Sequence, residues 1–290
     1  MIRHLIQLQH HTARASGTRY RVKRPKRLHP ALAVELSYNE QLQRRVNKLA
    51  AVTEQVIGPR LKGLVERAAT QRHDDDYTIQ LNNLIDLLRT TYYGIEDPKD
   101  LAALASKIMR ETSSFQKAQL VRSLHAAIGV NPFFQDNGLL AKAQGFVSQN
   151  VDLITSIDEE HFRRLKQNLM TRIRKGDRVE EIRKDLEDVY DLPKARAALI
   201  ARDQVGKLYG ELNRSRQQEI GIRQYTWRTV GDERVRGTPG GVWPRGKHYE
   251  LDGRVFTWGD APITNEQGER NEPGGDYQCR CTGEPILPKL

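Results

Sequence analysis

Residues 222–236 read IRQYTWRTVGDERVR, and here the chain changes its period. Upstream, apolar positions recur at three- and four-residue steps. In this stretch Tyr225, Trp227 and Thr229 alternate with Thr226 and Arg228, the two-residue repeat of a half-buried strand. Downstream follow a Gly/Pro-rich insert, GTPGGVWPRGK (237–247), then HYELDGRVFTW (248–258), a polar loop, and PGGDYQCRC (273–281). Both cysteines, Cys279 and Cys281, and all three tryptophans, Trp227, Trp243 and Trp258, lie in this last quarter. The sequence changes architecture at Gly221.

Before Gly221 the pattern is helical. Leu32, Leu36, Leu42, Val46, Leu49, Val52 and Val56 predict an amphipathic helix over 31–57, stopped or kinked by Gly58-Pro59, with a second helix over 60–70. His73-Asp74-Asp75-Asp76 reads as a polar turn whose last aspartate caps a helix over 77–93; acidic capping explains the run more simply than a metal site does. Asp97-Pro98 opens a helix ending at Gly129. Phe133 and Phe134 follow in a loop, packed either locally or on a partner. Ser156 and Glu159 form a capping box opening a helix that carries Phe162, Leu165, Leu169 and Ile173 and ends at Gly176. On it, Arg163, Arg164, Lys166, Arg172, Arg174 and Lys175 read as a solvated face, or alternatively as a surface towards DNA or a portal. A short helix through Val189 and a long one from Pro193 to Ile220, buried along Ile200, Val205, Leu208 and Leu212, lead into the strand region.

Taken in order, Trp227, Asp232, Arg236, His248, the LDG turn ending at Gly253, and Cys279-Arg280-Cys281 resemble the C-terminal domain of the phage Mu F-like minor head proteins, the phage head morphogenesis family. The resemblance extends upstream through helices to about Phe146. It departs from the family pattern at 237–247, which separates Arg236 from His248. It implies an α+β protein: a mainly helical N-terminal half followed by a Mu F-like domain of helices plus a small, mostly antiparallel sheet. The expected division is a basic flexible arm (1–29), a helical domain (30–145) and the Mu F-like domain (146–290).

The totals agree with such a role. The net charge is +10, and eight of those charges precede the first acidic residue, Glu35. The cluster Arg19, Arg21, Lys23, Arg24, Lys26, Arg27 reads either as a solubilising tail or as a polyanion-binding arm, and its low apolar content predicts that deleting 1–29 spares folding. No apolar run approaches the ~20 residues of a membrane span, so a soluble protein without a secretory leader is expected. Two cysteines one residue apart make no disulfide framework.

Cys279, Cys281 and His248 are the only soft or imidazole ligands of the C-terminal quarter, with Asp232 or Asp276 available to supply an oxygen. They read as ordinary packed thiols, so that no cofactor is expected, or as a structural zinc site. Asp232, Glu233, His248, Glu250 and Asp252 offer acid–base groups, but G-x-S-x-G, H-E-x-x-H and P-loop motifs are absent. The expected role is therefore structural, not enzymatic. The resemblance implies a virion protein made in the host cytoplasm and carried inside the phage head. Its partners would be the portal protein, a major capsid or scaffolding protein and double-stranded DNA. The alternative is a DNA-binding protein ejected with the genome.

Overall fold

The computed structural model describes residues 1–290 except 71–73, 137–138, 190 and 290. Its elements are α1 (Ile2–Ala15), α2 (Leu32–Thr70), α3 (Asp74–Ile95), α4 (Pro98–Ile128), α5 (Leu139–Lys175), α6 (Val179–Val189), α7 (Asp191–Glu219), β1 (Gln224–Arg228), α8 (His248–Leu251), β2 (Val255–Thr257) and β3 (Thr282–Ile286). The α+β class is as expected. No helix among the described residues is long and apolar enough to cross a membrane.

The chain divides into two compact units, and the division differs from the expected one. One comprises 1–35, 108–143 and 202–290; the other comprises 36–107 and 144–201. The expected boundary at 145–146 falls inside α5, and α4 and α7 likewise contribute to both units. A boundary sought where composition shifts along the sequence misses a chain that leaves a unit and returns to it through uninterrupted helices.

The unit of 36–107 and 144–201 is helical. Its core joins Leu49, Val56, Ile57, Leu61 and Leu64 of α2, Leu81, Leu88 and Tyr92 of α3, Phe162, Leu165 and Leu169 of α5, and Ile182 of α6. Here Gly58-Pro59 does not end the helix: α2 carries Pro59 in its interior. Proline costs about 3 kcal/mol in a helix interior. The buried stripe Val56, Ile57, Leu61, Leu64 straddles it, and each such side chain contributes about 1.5–3 kcal/mol, so continuity wins. For the same reason Ser156 is interior to α5, and its hydroxyl donates to the Leu153 carbonyl (2.6 Å) instead of capping a start. His73 and the side chains of the acidic run beside it lie outside the described residues. Buried Arg45 donates to Asp158 (2.7 Å) and Glu96 (2.8 Å), and Tyr92 also donates to Asp158 (3.2 Å).

The other unit overturns the flexible arm. Residues 2–15 are helical, with Ile2 and Ile6 buried beside Leu120, Leu124, Ile128, Ile220 and Ile222. An extended ribbon follows. The Tyr20 hydroxyl donates to Ile128 O (2.8 Å), the Lys23 amide to Ala127 O (2.9 Å), Ser123 to Lys26 O (2.6 Å) and the Arg27 guanidinium to Thr229 O (2.6 Å). Leu28 is 2% exposed. The charges alternate with apolar side chains: Arg19, Arg21 and Lys23 face solvent while Tyr20 and Val22 pack against the core. Average composition hides this alternation, which is that of a docked strand-like segment. Of the two loop aromatics, Phe134 is buried and Phe133 is exposed.

The sheet of this unit is antiparallel in the order β2-β1-β3, with Tyr225 opposite Phe256 on one side and Pro285 on the other. Tyr225, Trp227 and Thr229 are buried, as their alternation predicts. The C-terminal part of α7 carries groups the sheet requires: Asn213 and Gln217 donate to Gly283 O (2.8 and 2.9 Å), and Gln217 accepts from the Trp258 indole (3.0 Å). Gly206 and Gly210 of α7 admit the loop before β3 at backbone distance. A Cβ at Gly210 would stand 2.4 Å from Pro273 O, and one at Gly206 would stand 2.7 Å from Cys279 O.

Candidate functional site

Three segments remote in sequence converge behind β1. The first is the turn after β1. Asp232 accepts from the Arg234 amide (3.1 Å) and from the Arg280 guanidinium (2.6 Å), and Arg236 donates to Tyr277 O. The second is α8, which begins at His248. Insert 237–247 closes on itself before reaching it: the Gly237 amide bonds Trp243 O (2.8 Å), and Gly237 and Gly246 meet backbone to backbone. The Tyr249 amide then bonds Arg236 O (2.9 Å), which returns His248 to the side of Arg236 despite the intervening residues. The third is Cys279-Arg280-Cys281, which enters β3. Gly253 closes the turn after α8 at φ +79°, and Asp252 accepts from the Thr229 amide (2.8 Å).

At the centre, His248 Nδ1 lies 3.6 Å from Cys279 Sγ and 3.5 Å from Cys281 Sγ. The three ligand atoms lie within 4.8 Å of one another, and all three residues are buried. The opposite ring nitrogen, Nε2, is 2.7 Å from Asp276 Oδ2, and the other oxygen of Asp276 accepts from Asn271 (2.7 Å). Trp227 meets the imidazole edge to face, 5.5 Å between centroids. Its buried indole N–H makes no well-formed hydrogen bond, yet acts on Cys281 as a weak donor that favours the thiolate.

These contacts set the protonation states. Burial disfavours imidazolium, but the Asp276 hydrogen bond and the Cys279 sulfur outweigh it and raise His248 to about 9. Cys279 is held well below the ordinary thiol range, first by the hydrogen bond from Cys281 and, against burial, by His248. Cys281 is pushed well above it by sharing its proton with Cys279 and by burial. Of the two thiols, Cys279 is therefore the one that ionises first.

A pocket of about 170 Å³ opens on this cluster, lined by His248, Cys279 and Cys281 and by Arg202, Arg234, Arg236 and Arg280. Neither aspartate considered as an oxygen ligand joins it. Asp276 is on the far side of the imidazole, and Asp232 is engaged by Arg280. The sequence put Trp227, Asp232, Arg236, His248, Gly253, Cys279 and Cys281 in one region, and the structure brings them together. It gives Asp276, read from the sequence as a possible oxygen ligand, a different place as the partner of Nε2.

With this geometry in view, residues 163–284 match the sequence profile of the family described as Phage Mu protein F like protein. Residues 163–284 are thus phage Mu F-like in sequence. An uncharacterised protein of Haemophilus influenzae (strain Rd) is similar as well, 30% identical over 146 residues, which are 50% of this chain and 30% of that protein. The chain therefore spans less than a third of that relative's length. No solved structure matches it.

The proposed DNA contacts lie elsewhere in the same unit. Arg19, Arg21, Lys23, Arg24, Lys26 and Arg27 are all exposed along the ordered ribbon. Arg24 pairs loosely with Glu284 (3.4 Å) while remaining 72% exposed. The basic face of α5 is different. Arg163 and Arg164 pair with Glu160, Arg172 with Asp177 and Asp185, and Arg174 donates to the Tyr77 hydroxyl, so three carboxylates meet about half of its six charges. That arrangement favours the plain reading, a solvated face.

Proposed function

We propose that this protein is a minor head protein of a tailed bacteriophage: a structural adaptor in head morphogenesis, held inside the head on the portal or the inner capsid surface and in contact with packaged double-stranded DNA. The observation that carries this reading is the Mu F-like match over residues 163–284. Two features support it. The backbone of the ribbon is held by hydrogen bonds at Lys23 and Lys26 and by the Arg27 guanidinium, so its exposed cations are carried on an ordered segment and a polyanion meets them at a reduced ordering cost. The part around the sheet is pinned by α7 and by the Asp232–Arg280 and Asp252–Thr229 bonds, as suits an anchoring module. Its role is mechanical and electrostatic, not catalytic.

The test is affinity purification of the tagged full chain from cells assembling procapsids, with mass spectrometry of what accompanies it and of purified virions before and after DNA ejection. Portal or capsid protein in the eluate, and the protein in finished heads, are expected. Absence from assembled heads refutes the proposal. The same basic ribbon also suits a DNA-binding protein that leaves with the genome; loss of the protein from emptied heads selects that second reading.

A further inference from the structure

We infer that His248, Cys279 and Cys281 form a zinc site with three protein ligands, whose fourth position opens on the arginine-lined pocket. The inference goes beyond the head-protein reading and does not depend on it. Its first support is distance. With Zn–N of about 2.0–2.1 Å and Zn–S of about 2.3 Å, tetrahedral angles place the nitrogen about 3.5–3.6 Å from each sulfur. The two separations from Nδ1 are 3.6 and 3.5 Å. Both sulfurs therefore stand where a shared tetrahedral ion would hold them. A histidine ligand typically gives its other nitrogen to a carboxylate that fixes the ring, and Asp276 holds Nε2 at 2.7 Å while itself fixed by Asn271. A divalent cation balances the two thiolates, and the Asp276 carboxylate is paired with the imidazole N–H and with Asn271, so each buried charge has a partner.

The donor set of two sulfurs and one nitrogen selects a borderline-soft tetrahedral ion over calcium or magnesium. All three ligands line the pocket, so water or an anionic donor entering beside Arg202, Arg234, Arg236 and Arg280 completes the shell. The metal would join α8 to the entry of β3, two segments that the sequence separates by the whole polar loop.

A competing arrangement uses the same atoms. Cys279, His248 and Asp276 stand in the order of a nucleophile, its base and an orienting acid. The equal placement of Cys281 and the burial of both thiols favour metal, and the experiment separates the two.

The full chain is produced in zinc-supplemented medium and purified without chelator. About one equivalent of zinc per chain is expected, retained on dialysis and protecting both thiols from alkylation. Cobalt(II) exchanged into the site is expected to show a thiolate-to-cobalt charge-transfer band. Cys279→Ser and Cys281→Ser are expected to abolish that band. Asp276→Asn, which keeps all three ligands, is expected to weaken zinc about 10–100-fold with an unchanged circular dichroism spectrum, and it serves where the cysteine variants fail to fold. Zinc on the order of a tenth of an equivalent or less, with no cobalt band on titration, overturns the site. Rapid alkylation of Cys279 that zinc does not prevent overturns it in favour of the nucleophile.

Discussion

Replacing Leu28 by alanine tests whether the basic N-terminal segment belongs to the folded body. Leu28 is 2% exposed and packs in the cluster that includes Ile2, Ile6, Leu124 and Ile222, while its carbonyl accepts from Thr282 (3.3 Å). A buried leucine truncated to alanine loses its transfer free energy and leaves a cavity, a loss of about 2–5 kcal/mol. The backbone bond to Thr282 survives the change, and the surface ribbon relaxes more readily than a helix core. A value near 3 kcal/mol is therefore expected, equivalent to about 6–12 °C in Tm. Trp227, Trp243 and Trp258 all lie in the same compact unit, so tryptophan fluorescence during urea unfolding reports its stability directly. Far-UV circular dichroism follows the helical unit in the same samples and shows whether the two melt together. Arg21→Ala, an exposed neighbour on the same ribbon, is the control and is expected within about 0.5 kcal/mol of the parent protein. If Leu28→Ala also falls within about 0.5 kcal/mol, the segment is not docked in solution and the reasoning fails.

Three other outcomes follow from the geometry. Duplex DNA binding by the six-cation ribbon is expected to weaken with salt at a log–log slope of about −5, and each cation replaced by alanine reduces the slope by about 1; a slope near zero removes DNA from the ribbon. Burial lowers His161 to about 4, so above pH 6.5 its neutral form carries no penalty. As pH falls from 6.5 towards 4 the unfolded chain takes up the proton first, and stability drops by about 3 kcal/mol. His161→Gln, assayed by urea unfolding across that range, should flatten the decline, and an unchanged pH profile refutes the assignment. Gly210→Ala places a methyl 2.4 Å from the Pro273 carbonyl and is expected to destabilise the tryptophan-reporting unit by about 1–3 kcal/mol, whereas Gly145→Ala, with open space around it, should not.

Much of the local structure was legible because short-range chemistry decides it. The alternation of Tyr225, Trp227 and Thr229 gives β1, and Asp97 accepting the Lys99 amide (2.8 Å) opens α4 as its Asp-Pro start predicts. Gly129 and Gly176, at φ +77° and +79°, end helices where their sequence position says they should. What failed were decisions made by distant partners. Pro59 reads as a stop until the buried residues on both sides of it are seen to share one core. Ser156 and Glu159 have the right types for a cap, yet α5 runs through them because Ile154 and Ile157 are buried there as well. The six cations of the ribbon look like a tail when counted, and like a docked edge only once Tyr20 and Val22 have a surface to meet. At the site, Cys279 and Cys281 were visible as a pair, and their convergence with His248 was an open alternative. Asp276 was not recognised as its orienting partner, since nothing in PGGDYQ distinguishes an acid facing a histidine from an acid facing water.

The short circuit between Gly237 and Gly246 has a practical side. Because the backbone comes back to where it left, the tip of the insert lies outside the path to His248, and the imidazole beyond it is placed by the Tyr249–Arg236 bond and by Asp276. Peptide tags, reporter epitopes or simple deletions spliced at the far end of that bight can be tried without disturbing the thiols. Material added on the other side, between Asp276 and Cys281, has no such slack to absorb it.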